Sequence, residues 1–128
     1  MRLLVDTHAF VWWLADDIRL SPAAFAAIAD PANELHVSAA SAWEIGVKVA
    51  LGRLDVPALH DVPLEEVARE ERMEPIPVVF GDALAAALLP LLHRDPFDRM
   101  LIAQAQARGM AIVTGDRQIA RYAVATIW

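Results

Sequence analysis

The chain has 128 residues, 57% of them hydrophobic, a net charge of −6 and no cysteine. That length and hydrophobicity suit one packed domain over residues 1–128 and exclude a disordered chain. The missing cysteines exclude disulfides, thiolate zinc sites and cysteine nucleophiles, and suit a reducing cytoplasm.

Membrane insertion and secretion are not expected. The longest apolar run, Ala83–Leu92, contains Pro90 and falls well short of the roughly 20 residues of a membrane span. Asp6 interrupts what would be the apolar region of a signal peptide. The negative charge is the reverse of the basic footprint of most nucleic-acid binders. It is unevenly spread. Asp61, Glu65, Glu66, Glu70, Glu71, Glu74 and Asp82 outnumber Arg69 and Arg72, whereas Arg94, Arg99, Arg108, Arg117 and Arg121 outnumber Asp95, Asp98 and Asp116. Lys48 is the single lysine, so the cations are mostly guanidinium forks suited to phosphate.

In chain order, Leu3-Leu4-Val5 reads as a buried strand ending at Asp6. Thr7–Ala15 reads as a helix apolar nearly all round. Ser21-Pro22 caps a helix reaching Asp30. Leu35–Val37 is a second strand. Ser38 or Ser41 caps a helix through Leu51, stopped by Gly52. Arg53–Val62 is a loop, and Pro63 opens an acidic helix to Arg72. Ile76–Val79 is a third strand, weakened by Pro75 and Pro77. Asp82–Leu89 is a short helix, and Asp95–Arg108 a long one closed by Gly109. Ala111–Thr114 is a fourth strand ending at Gly115-Asp116. Arg117–Tyr122 is a last helix and Val124–Trp128 an edge strand. This alternation predicts an α/β sandwich around a short parallel sheet.

In such sheets ligands bind at the carboxyl ends of the strands. Asp6, Glu44, Asp98 and Asp116, from four separate segments, are expected at that edge. Clustered carboxylates resist ionising together, and a hard cation such as Mg²⁺ or Mn²⁺ relieves the repulsion. A metal held there can activate water and stabilise charge on a phosphate, which predicts phosphodiester hydrolysis. Thr7 and Thr114, and less directly Ser38, offer supporting hydroxyls. Each acid also has a plain structural use. Asp95, Pro96 and Asp98 make a variant capping box, and Asp6 and Asp116 suit helix caps. Capping explains single acids but not four at one edge. His8, His36, His60 and His93 lack paired metal spacing and read as surface or core-edge residues. No dinucleotide fingerprint, Walker A loop or nucleophile elbow is present.

Four blocks carry a resemblance: LLVDTHAFVWWLA, VSAASAWEIGVK, HRDPFDRMLIAQA and IVTGDR. In this order they resemble the signature blocks of the PIN domain, above all of VapC-type toxins from toxin–antitoxin pairs. The likeness spans Met1–Trp128. It implies a Mg²⁺- or Mn²⁺-dependent ribonuclease, with Asp6, Glu44, Asp98 and Asp116 as catalytic and metal-holding acids and Thr114 as a supporting hydroxyl. It also implies a homodimer inhibited by a VapB-type antitoxin, which would pack on apolar helices such as that carrying Trp12 and Trp13. Arg94, Arg99, Arg117 and Arg121 are the candidates for RNA phosphate contacts, Arg99 alternatively pairing with an acid of the site. Two other readings remain open: a PIN-like module that binds RNA or protein without cutting, and a metal nuclease acting on DNA.

Overall fold

The computed structural model describes residues 1–128. Five parallel strands form one sheet in the order β3-β2-β1-β4-β5: β1 (Arg2–Val5), β2 (Glu34–Ser38), β3 (Met73–Ile76), β4 (Ala111–Val113) and β5 (Thr126–Ile127). Helices α1 (Thr7–Leu14), α2 (Pro22–Ala29), α3 (Ala39–Ala50), α4 (Leu64–Glu70), α5 (Phe80–Leu88) and α6 (Pro96–Arg108) connect them. The α/β sandwich read from the alternating pattern is the observed architecture.

The pleat of β1 divides the core. Leu3 and Val5 pack with Phe10, Ile28, Leu35 and Val37 in one layer. Leu4, between them, packs with Leu101, Ile102, Ile112 and Tyr122 in the other. Alternate residues of a strand face opposite sides, and here both sides are apolar because helices cover both faces. Local signals place the helix starts. Ser21 accepts the amide of Ala24, Ser38 that of Ala40, and Asp95 those of Phe97 and Asp98. Gly109 closes α6 at φ +63°, a region that favours glycine.

Three expectations shift. The third strand lies at Met73–Ile76 rather than Ile76–Val79. It is an edge strand paired only with β2, so Pro75 is tolerated there, and the pull on its register is Met73, fully buried in the core. The expected helix at Arg117–Tyr122 is a single 3₁₀ turn, Ile119–Arg121. Ile119 and Tyr122 are both buried, and the chain must turn directly into β5. Helix α1 is less open than its composition suggests. Trp13 donates to Glu71 at 2.7 Å and packs against Phe25 with ring centroids 5.3 Å apart, and both indoles of the Trp12-Trp13 pair are half-buried. Larger apolar exposures lie on α3 (Trp43, Val47) and on and beyond α5 (Phe80, Leu84, Leu88, Leu91). No helix is long and apolar enough to cross a membrane.

Asp82 belongs to the scaffold. Buried near the start of α5, it accepts two bonds of 2.8 Å from Arg108 of α6 and one of 3.1 Å from the amide of Val79. Arg108, followed by the amide and Gln104, holds this carboxyl below its usual pKa. A depressed pKa adds stability that is complete above the unfolded value and lost as pH falls through the folded one. Asp82→Asn is expected to lower the unfolding free energy at neutral pH by roughly 1–3 kcal/mol. The deficit should shrink in acid, as urea titrations at several pH values would reveal.

Candidate active site

Because the strands are parallel, their carboxyl ends share one edge. Asp6 follows β1, with its amide donating to Val113 of β4 at 3.1 Å. Thr114, Gly115 and Asp116 follow β4. Glu44 lies on α3, which leaves the end of β2, and Asp98 on the first turn of α6.

Three of the acids serve the local chain with one oxygen while the other faces elsewhere. Asp6 caps α1 by accepting the Ala9 amide at 2.7 Å through Oδ1. Asp116 accepts the Gln118 amide at 2.8 Å through Oδ1. Its Oδ2 lies 3.6 Å from His93 Nε2. Glu44 binds Lys48 Nζ at 2.6 Å through Oε2. Its Oε1 is buried with no hydrogen-bond partner. Asp98 Oδ2 meets His93 Nε2 at 2.7 Å, while Asp95 serves as the cap of α6.

Two carboxyls are strained toward the neutral form. Burial, opposed by Thr114, the Ala9 amide and His8 and reinforced by Glu44, raises the pKa of Asp6. Burial again leads for Asp98, pushed up to about 7 with help from Asp95 and Asp116 and against the pull of His93. The electrostatic links thus run Asp6 to Glu44 and Asp98 to Asp116, with Thr114 touching both sides: its Oγ1 accepts the Asp116 amide at 3.1 Å.

The family model for the PIN domain matches residues 3–125. The chain belongs to the PIN domain family. It is 35% identical over 119 residues to Ribonuclease VapC22 of Mycobacterium tuberculosis, an alignment covering 91% of this chain and 88% of that protein. Its fold matches the crystal structure of VapBC2 from Rickettsia felis bound to a DNA fragment from their promoter. The TM-score is 0.65 at 13% identity, over 98% of this chain and 97% of the other.

This PIN domain departs from the sequence reading at two residues. His93 was expected at the surface or core edge. It is half-buried, as a core-edge residue is, but its grouping with acids was not foreseen: its Nε2, with Asp98 and Asp116, forms a group whose donor atoms lie within 4.8 Å of one another. No spacing rule flags it, because its partners are three-dimensional; adjacency to the Asp95-Pro96 cap was the available hint. Arg99 was a candidate for RNA contact or for pairing with an acid. It is buried and does neither. Its guanidinium donates to the carbonyls of Ala86, Leu89, Pro90 and His93 and to the Tyr122 hydroxyl. The carbonyls of Ala86, Leu89 and Pro90 lie where α5 ends and that of His93 in the segment leading to α6, and a five-donor cation satisfies them. Tyr122 completes the clamp, accepting the amides of Leu92 and His93 and donating to Pro90. Arg99 therefore holds the segment that presents His93.

The remaining candidates divide by exposure. Arg94 and Arg117 are exposed. Arg121 is exposed but ties back to the Leu92 carbonyl and Gln118. The Thr7 hydroxyl donates to Ser41 at 2.9 Å in a buried link between α1 and α3, and Ser38 is the cap of α3.

A divalent cation fits this donor set on a structural observation: Glu44 Oε1 is a buried carboxylate oxygen lacking any partner. Such an atom is costly to bury alone, and a hard cation suits oxygen donors. Without metal, a raised Asp98 pKa means that the folded state binds the proton more tightly than the unfolded one. This contribution to stability is complete below the unfolded value of 3.8 and is lost as pH rises through about 7. In EDTA the melting temperature is expected to fall across that window, and Asp98→Asn should flatten the slope. A wild-type midpoint that climbs over the same range would contradict this. Separately, Arg99→Ala should destabilise the fold by on the order of 3–5 kcal/mol, because several buried carbonyls lose their donor. Chemical denaturation checks the value.

Proposed function

We propose that this chain is a metal-dependent endoribonuclease of the VapC type, the toxin of a toxin–antitoxin pair. The observation that carries the reading is the buried, partnerless oxygen of Glu44 beside an Asp6 whose pKa is raised. The likeness to Ribonuclease VapC22 supports RNA as the substrate. Asp6, Glu44, Asp98 and Asp116 are the acids proposed to hold Mg²⁺ or Mn²⁺. The His93 nitrogen beside Asp98 and Asp116 makes Mn²⁺ readily accommodated. A cation held by these acids would offset their repulsion, and the chemistry it would supply is a lowered water pKa and compensation of charge on the phosphate.

The protein's own residues prepare the site. Caps at Asp6 and Asp95, and the turn in which Asp116 accepts the Gln118 amide, fix the backbone, so the carboxylates need little reorganisation. Lys48 holds Glu44 by one oxygen and leaves the other turned free. Thr114 ties the Asp116 backbone to the end of β4. Arg94, Arg117 and Arg121 are the remaining candidates for phosphate contact, since all are exposed. A VapB-type antitoxin and a second copy of this chain are the proposed partners, in a cytoplasmic setting. The exposed apolar side chains of α3 and α5 offer faces for them.

Purified, antitoxin-free protein is expected to cut RNA with Mg²⁺ or Mn²⁺ and to stop in EDTA. Asp6→Asn and Asp98→Asn should each lose at least about a hundredfold in rate while melting cooperatively. Asp95→Asn should mainly reduce stability. Undiminished cleavage in both site variants would sink the assignment. RNA bound tightly but never cut would favour a binding module, and cleavage of DNA alone a DNA nuclease.

A further inference from the structure

An aromatic wall stands beside the acids and has no part in the proposal above. A cleft of about 580 Å³ is lined by Asp6 and Asp116 together with His8, Trp12, Arg19, Gly115 and Trp128. The sheet topology builds this wall. Val113 of β4 is in register with Ile127 of β5, so Trp128 emerges at the same edge as Thr114 and Asp116. Trp12 comes from α1, which starts directly after Asp6. The two indole rings lie 5.8 Å apart, and the imidazole of His8 lies 5.7 Å from Trp12.

Backbone shape makes room for the outer indole. A Cβ added to Gly115 would come within 2.6 Å of Cε2 and 3.0 Å of Cδ2 of Trp128. The ring therefore lies against Gly115, in a place only glycine leaves open. Trp128 nevertheless keeps 40% of its surface exposed. Arg19 lies 5.0 Å over Trp12 and is locked by Asp17 through contacts of 3.0 and 2.7 Å. The cleft therefore combines a guanidinium paired with Asp17, the partly exposed indole of Trp128 beside the half-buried Trp12, and the two strand-end acids.

We propose that Trp12 and Trp128, seated by Gly115 and flanked by Arg19, form a stacking subsite for an unpaired base next to the scissile phosphate. The proposal rests on the ribonuclease reading and deepens it by naming the side chains that hold a base of the substrate by its face. Stacking suits an acidic chain of net charge −6. Affinity drawn from π-faces does not depend on many lysines or arginines, and it tolerates any base. It also favours single strands, because a base in a duplex has no free face to offer.

The test uses the full chain with a short, unstructured, dye-labelled RNA of mixed sequence. Controls are the same RNA folded into a hairpin stem and the same RNA with abasic sugars. Trp128→Ala is expected to raise KM for the unpaired RNA about tenfold or more, with kcat changed far less. Trp128→Phe should restore most of that loss. Anisotropy titrations in an Asp98→Asn background should show the same order of affinities, and the abasic RNA should bind wild type and Trp128→Ala alike. Melting curves establish that each variant folds, and Trp12→Leu provides a second removal of the wall. Cleavage by wild type with an unchanged KM in folded Trp128→Ala and Trp12→Leu overturns the subsite alone. A wild type that neither binds nor cuts RNA overturns the ribonuclease reading and the subsite with it. Loss of kcat without change in KM would make the indoles props of Asp116 and also refutes the stacking role.

Discussion

Strand β1 is hydrogen-bonded on both sides, to β2 from Arg2↔Glu34 through Val5↔Val37 and to β4 from Leu3↔Ala111 through Val5↔Val113. Everything at the site depends on that double, parallel pairing. It brings Val5, Val37 and Val113 level, so the residues just past them emerge together. Asp6, Ser38 and Thr114 are all buried at that edge. A slip of one residue in either ladder would turn Leu3, Leu4 and Val5 to the wrong layers, so burial on both faces locks the register.

The same edge shows how one residue can bind a backbone amide and still present charge. A carboxylate has two oxygens, and backbone amides claim only one at Asp6 and Asp116. At the start of α6 the work is divided between residues: Asp95 takes the amides, leaving Asp98 Oδ2 to His93. Structural and chemical uses are therefore compatible at these positions. The energetic tension lies elsewhere, in burying several acids close together. Burial is the leading cause that raises the pKa of Asp6 and of Asp98. Lys48 and His93 offset part of that repulsion in the absence of a cation.

Distant residues support the site through backbone rather than through contact with it. Arg99 satisfies the carbonyls where α5 ends, and Tyr122 binds the amides of Leu92 and His93. The two meet at 3.3 Å. Together they fix the path from α5 into α6, and so the direction in which His93 points. Asp82 and Arg108 join the other ends of the same two helices.

Much of this was legible along the chain. Apolar triplets marked β1 and β4, serine and aspartate caps marked the starts of α2, α3 and α6, and Gly109 marked the end of α6. These signals are local: they depend on side chains and backbone amides a few residues apart, which sequence order specifies directly. The placement of Asp6 and Asp116 near strand ends was equally readable, because parallel strands force their ends to one edge. What required the tertiary structure were relations between residues far apart in sequence. The register of β3 followed from burial of Met73, not from its prolines. His93 gained its meaning from Asp116, and Arg99 lost its exposed reading because the carbonyls ending α5 lie within its reach. Trp128 reached the acids only through the pairing of β5 with β4. Local hydrogen bonding is encoded by neighbours in the chain, whereas charge coupling, burial and stacking depend on distances that exist only once the sheet has formed.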